Sequence, residues 1–211
     1  MKIINILSIA ISFTIISIVF SQGHTQSQDV KKDKNIIYQQ PIVFEVINIR
    51  SGNPSLSHYW DSLPNIRICE GSRVTQSRAR NSVRYWERMG YNLGDLIFDN
   101  ERDFQTCFNG GNNGEITVML ITSDIPIDTN LAVTKVFFDT RTNKIIKAQI
   151  FVIGGYANKE RLLEHEIGHA LGWSHYNRYL HIMNSSYDET GHNSHGVSWI
   201  NYQREIERIS Q

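Results

Sequence analysis

Residues 165–175 read His-Glu-Ile-Gly-His-Ala-Leu-Gly-Trp-Ser-His, and no other segment constrains the fold of this chain as strongly. His165 and His169 are four positions apart, so on a helix their side chains share one face and can bind one metal ion. Gly172 lets the chain leave that helix through a left-handed turn, which returns His175 to the site as a third nitrogen ligand. The segment predicts a metal-binding helix followed directly by a tight turn.

Glu166 lies beside the helical histidines, where its carboxylate can accept a proton from a water bound to the metal. Three histidine ligands leave the fourth position of a tetrahedral zinc ion open for that water, which distinguishes a catalytic site from a closed structural one. The alternative is a surface helix with incidental histidines. We disfavour it, because such a helix has no reason to carry the turn glycine and the third histidine as well. The sequence predicts one catalytic Zn²⁺ ion with Glu166 as the general base.

The long motif resembles that of the metzincin clan of zinc endopeptidases, in which a methionine turn lies beneath the metal. Here His-Ile-Met-Asn at 181–184 places Met183 eight residues after His175, a spacing most similar to that of the matrixin branch. Two departures leave the subfamily open. Tyr176 stands where matrixins usually have serine, and Asn-Ser at 184–185 stands where they usually have an aromatic residue and proline.

The resemblance implies an α+β fold. Its parts are a mixed, mostly parallel five-stranded sheet, an active-site helix, a second packed helix and a C-terminal helix. It also implies that Met183 shapes the floor of the site and does no chemistry. Metzincins hold the substrate as an additional antiparallel strand against an exposed edge strand, and the matching segment here is 133–138. The residues of this edge strand expected to bind the substrate are Val133, Thr134, Lys135 and Val136.

The function that these residues predict is hydrolysis of peptide bonds by a secreted zinc-dependent endopeptidase, with a protein or peptide as substrate. Two alternatives remain open at this point. One is a zinc hydrolase that acts on another amide, such as a cell-wall cross-link, because the motif does not specify the amide. The other is a secreted zinc-binding recognition module that has lost catalysis. The presence of Glu166 argues against such a module, since loss of this residue is the simplest route to an inactive site.

Residues 1–21 have the features of a secretory signal peptide, with Lys2 followed by the apolar stretch 3–20. The alternative is an uncleaved membrane anchor, because the stretch nearly reaches spanning length. We favour export to the outside of the cell or to the periplasm, with no stable membrane association after cleavage. Residues 22–57 are expected to form a flexible N-terminal segment or a short pro-segment, and residues 58–211 the catalytic domain.

The formal net charge is zero, from 21 basic and 21 acidic residues, so no overall field favours binding of nucleic acid. We expect a monomer. Arg80, Arg84 and Arg88 share one helix face, which is more typical of a solvated surface than of a docking site for an anionic partner.

The chain has two cysteines, Cys69 and Cys107, and an even count in an exported protein predicts a disulfide. The alternatives are two buried free thiols, or a thiolate that caps the zinc ion and keeps the enzyme latent. The matrixin propeptide motif around such a cysteine is missing, since Cys69 has Ile68 and Glu70 as neighbours. The disulfide is therefore the preferred prediction.

Hydrophobic periodicity and turn-forming residues predict the other elements. Strands are expected at residues 42–49, 66–69, 95–98 and 115–122, and in a hairpin of 133–138 with 145–153. Helices are expected at residues 75–89, from a cap at Asn158 to about Leu171, and at 198–209.

Three histidines follow the zinc motif. His181 is expected to pack or to form hydrogen bonds near the floor of the site. His192 and His195 are three positions apart in a loop, where a second metal ion is a less favoured alternative to simple exposure.

Overall fold

The computed structural model describes residues 36–38, 52–99, 104–121 and 130–210. The expected signal peptide and the expected strand at 42–49 lie outside the described residues. Every described residue belongs to one compact unit that spans residues 33–211. No helix in the described part of the chain is long and apolar enough to cross a membrane. The proposed boundary of the catalytic domain at residue 58 stays a prediction.

The described residues form six β-strands and four α-helices. The strands are β1 Ile36–Tyr38, β2 Asn65–Ile68, β3 Leu96–Phe98, β4 Glu115–Leu120, β5 Ala132–Asp139 and β6 Ile145–Val152. The helices are α1 Gln76–Glu87, α2 Phe104–Phe108, α3 Leu162–Ala170 and α4 Trp199–Ile209. The short helix α2 was not expected from the sequence. A helix of only five residues is too short to produce a recognisable helical periodicity in the sequence.

The six strands form one sheet in the order β1-β5-β6-β4-β2-β3. Strands β3, β2, β4 and β6 pair in parallel, while β5 is antiparallel to β6. The predicted α+β fold with a mostly parallel five-stranded sheet is therefore confirmed by β2–β6. The sixth strand, β1, pairs antiparallel with Phe137–Asp139 at one end of β5. The other end, Ala132–Val136, has no strand beside it on the side away from β6 among the described residues.

Helix α3 packs against β5 and β6, and α1 packs against α3. Helix α1 buries Ala79, Val83 and Trp86 on one side. The indole nitrogen of Trp86 donates a hydrogen bond of 3.0 Å to the backbone carbonyl of Glu164 in α3. A fully buried indole thus satisfies its polar group on the neighbouring helix, which sets the position of α3 relative to α1.

The prediction that Asn158 caps α3 is wrong. Helix α3 begins only at Leu162, and its N-cap is Arg161, which has a left-handed backbone with φ of 68° and no side-chain cap. The side chain of Asn158 instead accepts a hydrogen bond from the backbone N–H of Thr75 and donates one to the carbonyl of Arg73. Asn158 therefore bonds to the segment just before α1, a contact that tertiary packing makes and a local capping pattern does not show.

Cys69 and Cys107 form the predicted disulfide, with Cα atoms 5.9 Å apart. It joins the end of β2 to α2, so neither sulfur is a free thiol and neither caps a metal ion. Beside it, Arg67 donates hydrogen bonds to both carboxylate oxygens of Glu115 and also pairs with Asp99. This bidentate pair lowers the pKa of Glu115, chiefly through the hydrogen bonds from Arg67.

Removing the disulfide is expected to lower the free energy of unfolding by about 3–4 kcal/mol, because the cross-link constrains a 38-residue separation in the unfolded chain. Denaturant unfolding of the wild type and of a variant with both cysteines changed to serine measures this difference. Mass spectrometry of the non-reduced protein should also show two hydrogens fewer than in the reduced form. Ready alkylation of both thiols without reductant would contradict the prediction.

Candidate metal centre

Three histidine side chains meet where α3 ends. His165 and His169 lie one turn apart on α3, and His175 follows the turn after the helix. The Nε2 atom of His169 is 3.0 Å from Nε2 of His165 and 3.0 Å from Nε2 of His175. One ligand atom from each residue lies within 4.8 Å of the other two, so the three histidines can hold one metal ion.

Backbone carbonyls determine which ring nitrogen of each helical histidine carries the proton. Nδ1 of His165 is 2.7 Å from the carbonyl oxygen of Ile182, and Nδ1 of His169 is 2.8 Å from that of Trp173. A carbonyl only accepts, so each Nδ1 donates its proton and each neutral ring keeps a lone pair on Nε2. Two lone pairs 3.0 Å apart repel each other unless a cation lies between them. This arrangement fits a metal ion.

The rings are held in their neutral form, which metal binding requires. Burial lowers the pKa of His165 to about 4 and that of His175 to about 3. Burial also lowers the pKa of His169 well below its usual value, and the charges of the two neighbouring histidines add to this effect. Three neutral imidazole nitrogens in one site are a typical donor set for catalytic zinc, so the residues present fit that ion.

The turn after α3 requires glycine at position 172 for two reasons. Gly172 has φ of 103°, a region that side chains strongly disfavour. A Cβ atom there would lie 1.9 Å from the backbone carbonyl oxygen of His58. The same glycine accepts a hydrogen bond of 3.0 Å from the backbone N–H of Ser57. The turn that brings His175 back is therefore packed closely against residues 57–58.

Met183 is fully buried beneath α3. A Cβ atom on Gly168 would lie 2.3 Å from the sulfur of Met183 and 2.9 Å from Trp86. The glycine inside the motif therefore lets the methionine approach the helix backbone. This role of Gly168 was not predicted from the sequence. A glycine within a nine-residue helix does indicate a packing constraint, because it destabilises the helix by about 1 kcal/mol relative to alanine.

His181 holds the segment that carries Met183. Its Nδ1 accepts a 3.0 Å hydrogen bond from the backbone N–H of Met183, and its Nε2 donates one of 2.9 Å to the carbonyl of His195. The hydrogen-bonding role expected for His181 is thus present. His192 pairs with Glu160 at 3.0 Å. Among the described residues, His192 and His195 belong to no group of three side chains that could hold one metal ion.

The carboxylate of Glu166 is buried, with only 5% of the residue exposed. Burial raises its pKa to about 7, and a hydrogen bond from the hydroxyl of Thr134 acts in the opposite direction. A carboxyl group with a pKa in this range can both accept and return a proton near neutral pH. From the sequence, Thr134 was predicted only as a residue of the edge strand, and its contact with Glu166 was not predicted.

A buried ion pair joins α1 to α3. Arg78 of α1 pairs with Glu164 of α3, and the two side chains are 11% and 7% exposed. Glu164 directly precedes His165 in the chain. The pair was also missed, because the two residues lie in different helices and no local pattern connects them.

A cleft of about 420 Å³ opens beside His165, His175 and Glu166. One side is formed by Asn130, Leu131 and Ala132 at the start of β5. The other side comes from the segment after Met183, and its lining residues are Asn184, Ser185, Ser186, Tyr187, Asp188 and Thr190. Two of the three predicted ligands, His165 and His175, and the predicted base therefore border one open cavity beside the start of β5.

No protein-family model matches the chain, and no curated protein matches it. Among solved structures, the chain is similar to metalloproteinase-II from Bacteroides fragilis, with a TM-score of 0.44 and 16% sequence identity. The alignment covers 82% of this chain and 58% of that one, so the chain spans less than two thirds of the length of that protein.

Purified protein is expected to bind about one Zn²⁺ per chain, because three neutral histidines converge on one point. Zinc at about 100 times its Kd should stabilise the metal-free protein by about 2.7 kcal/mol. Elemental analysis and thermal unfolding measure the two quantities. His169→Ala should lose the metal, whereas His195→Ala, a change in an exposed side chain, should keep it. Equal zinc content in both variants would contradict the assignment.

Proposed function

We propose that the protein is a secreted zinc-dependent endopeptidase of the metzincin type. The observation that carries the proposal is the convergence of the three Nε2 atoms next to a buried carboxylate and an open cleft. Export is supported by the N-terminal apolar stretch and is compatible with the disulfide. We also propose that the mature protein acts as a monomer on protein or peptide substrates.

A zinc ion held by His165, His169 and His175 would polarise the carbonyl of the scissile peptide and lower the pKa of a water molecule. Glu166 accepts the proton of the attacking water on its carboxylate, and then donates that proton to the nitrogen of the leaving amine. The raised pKa of Glu166 suits both steps, because the group must hold the proton only between them.

The proposed substrate strand lies along residues 132–136 of β5, which pair with no strand on the side away from β6 among the described residues. The backbone N–H of Ile153 donates to the carbonyl of Leu131, which shows that Leu131 faces β6. Backbone groups alternate in direction along an antiparallel strand, so Val133 and Lys135 also face β6. The N–H and C=O groups of Ala132, Thr134 and Val136 therefore point away from β6. Pairing with these groups supplies affinity with little dependence on the substrate sequence.

Glu166→Ala is expected to keep zinc and the fold but to lower kcat by about 10²–10⁴, the usual contribution of a general base. The measurement is peptide cleavage and zinc content in the same preparation. Glu160→Ala is the matched control, since it removes an exposed carboxylate from the loop just before the same helix. Wild-type cleavage by a zinc-loaded Glu166→Ala protein would contradict the mechanism.

A screen of peptides alongside purified cell wall tests the choice of substrate. Peptide cleavage by the wild type supports the proposal. Release of cell-wall fragments without peptide cleavage would favour a zinc amidase. A wild type that binds zinc and hydrolyses neither substrate would favour a recognition module.

Binding of a peptide to the Glu166→Ala protein is expected to slow amide hydrogen exchange at Ala132, Thr134 and Val136. The slowing should be about tenfold or more when the peptide is well above its Kd. Exchange measured residue by residue by NMR tests this. Val133 and Lys135 serve as internal controls, because their amides already face β6. Unchanged exchange at all three positions, with the peptide shown to be bound, would place the substrate elsewhere.

A further inference from the structure

Thr134 makes a contact that an edge strand does not need for backbone pairing. Its side chain points toward α3, and the residue is only 8% exposed. The hydroxyl donates a short hydrogen bond to Oε2 of Glu166. It is the one hydrogen bond to this carboxylate that the described part of the chain shows.

The geometry shows a preference for the carboxylate over another available acceptor. The Oγ1 atom of Thr134 also lies 3.3 Å from the backbone carbonyl oxygen of Glu166. A buried hydroxyl needs one acceptor, and that carbonyl would be enough. The closer partner is nevertheless the carboxylate oxygen, to which a hydrogen bond is about twice as strong as to a neutral group.

A glutamate side chain has three rotatable bonds, so a carboxylate without a donor samples several positions. The hydroxyl of Thr134 holds Oε2 and leaves Oε1 for a proton of the attacking water. Misplacement of a reacting group by about 1 Å can cost about 10² in rate. The backbone of Thr134 is itself fixed by the pairing of β5 with β6.

We propose that Thr134 is a positioning residue that ties the general base Glu166 to the strand on which the substrate is aligned. The proposal rests on the proposed hydrolysis, and it adds a side-chain role to a residue whose backbone faces the substrate. One residue thereby sets the distance between the base and the peptide to be cleaved. Its hydroxyl acts on kcat, whereas its backbone groups act on substrate binding.

Three variants separate these effects. Thr134→Val keeps the shape and the backbone but lacks the hydroxyl, and it should lower kcat by about 10- to 100-fold with KM within about twofold. Thr134→Ser restores the hydroxyl and should recover kcat to within about threefold of the wild type. Thr117→Val is the matched control in the same sheet, because the buried hydroxyl of Thr117 has no hydrogen-bond partner in the described part of the chain. That change should leave kcat and KM unaltered.

Unfolding of the zinc-free proteins provides a readout that is independent of turnover. Thr134→Val should destabilise the wild type more than it destabilises Glu166→Ala, because in the second case no carboxylate remains to be held. If Thr134→Val does not fold, Thr134→Ala removes the same hydroxyl and is compared with Thr134→Ser in both measurements.

Full kcat in Thr134→Val would overturn the proposal, and so would an equal loss in Thr134→Ser. An equal stability change in both backgrounds would also overturn it. If the wild type cleaves no amide at all, the proposed function fails instead, and the positioning role fails with it. If, in that case, Thr134→Val still destabilises the zinc-free wild type more than it destabilises zinc-free Glu166→Ala, the hydrogen bond between Thr134 and Glu166 is purely structural.

Discussion

The site depends on two hydrogen bonds from histidine rings to backbone carbonyls. Nδ1 of His165 and of His169 donate to the carbonyls of Ile182 and Trp173, which leaves both Nε2 lone pairs directed at one point. Neutral nitrogens packed this closely in a desolvated site are stabilised only by a cation. Both carbonyls belong to segments that follow α3, so the path of the chain after the helix determines whether the ligands are correctly oriented.

Close packing around α3 fixes the positions of the carbonyls of Ile182 and Trp173. Gly172 brings the turn against His58, and Gly168 lets Met183 pack beneath α3. The segment that carries Met183 supplies the carbonyl of Ile182 and is held in turn by His181. A substitution at either glycine would therefore act on metal binding through backbone position, without touching a ligand.

Strand β5 connects substrate binding with proton transfer in the proposed reaction. Ala132 lines the cleft at the start of this strand, while the hydroxyl of Thr134 contacts Glu166 from the same strand. Helix α3 is held on its other side by the indole of Trp86 and by the pair between Arg78 and Glu164. Glu166, His165 and His169 therefore lie on a helix that is fixed from both sides, as a preorganised site requires.

Local rules were sufficient to predict that the three histidines converge, because the four-residue spacing of His165 and His169 is a property of one helix and the left-handed turn requires only Gly172. Strands β2–β6 and the long helices also followed from periodicity, and the disulfide from a count of two cysteines. Only the tertiary structure decided which distant groups meet. Thr134 and Glu166 are 32 positions apart, and Asn158 bonds to residues 83 and 85 positions away instead of capping α3. Such contacts depend on how the elements pack, and packing leaves no periodic signal in the sequence.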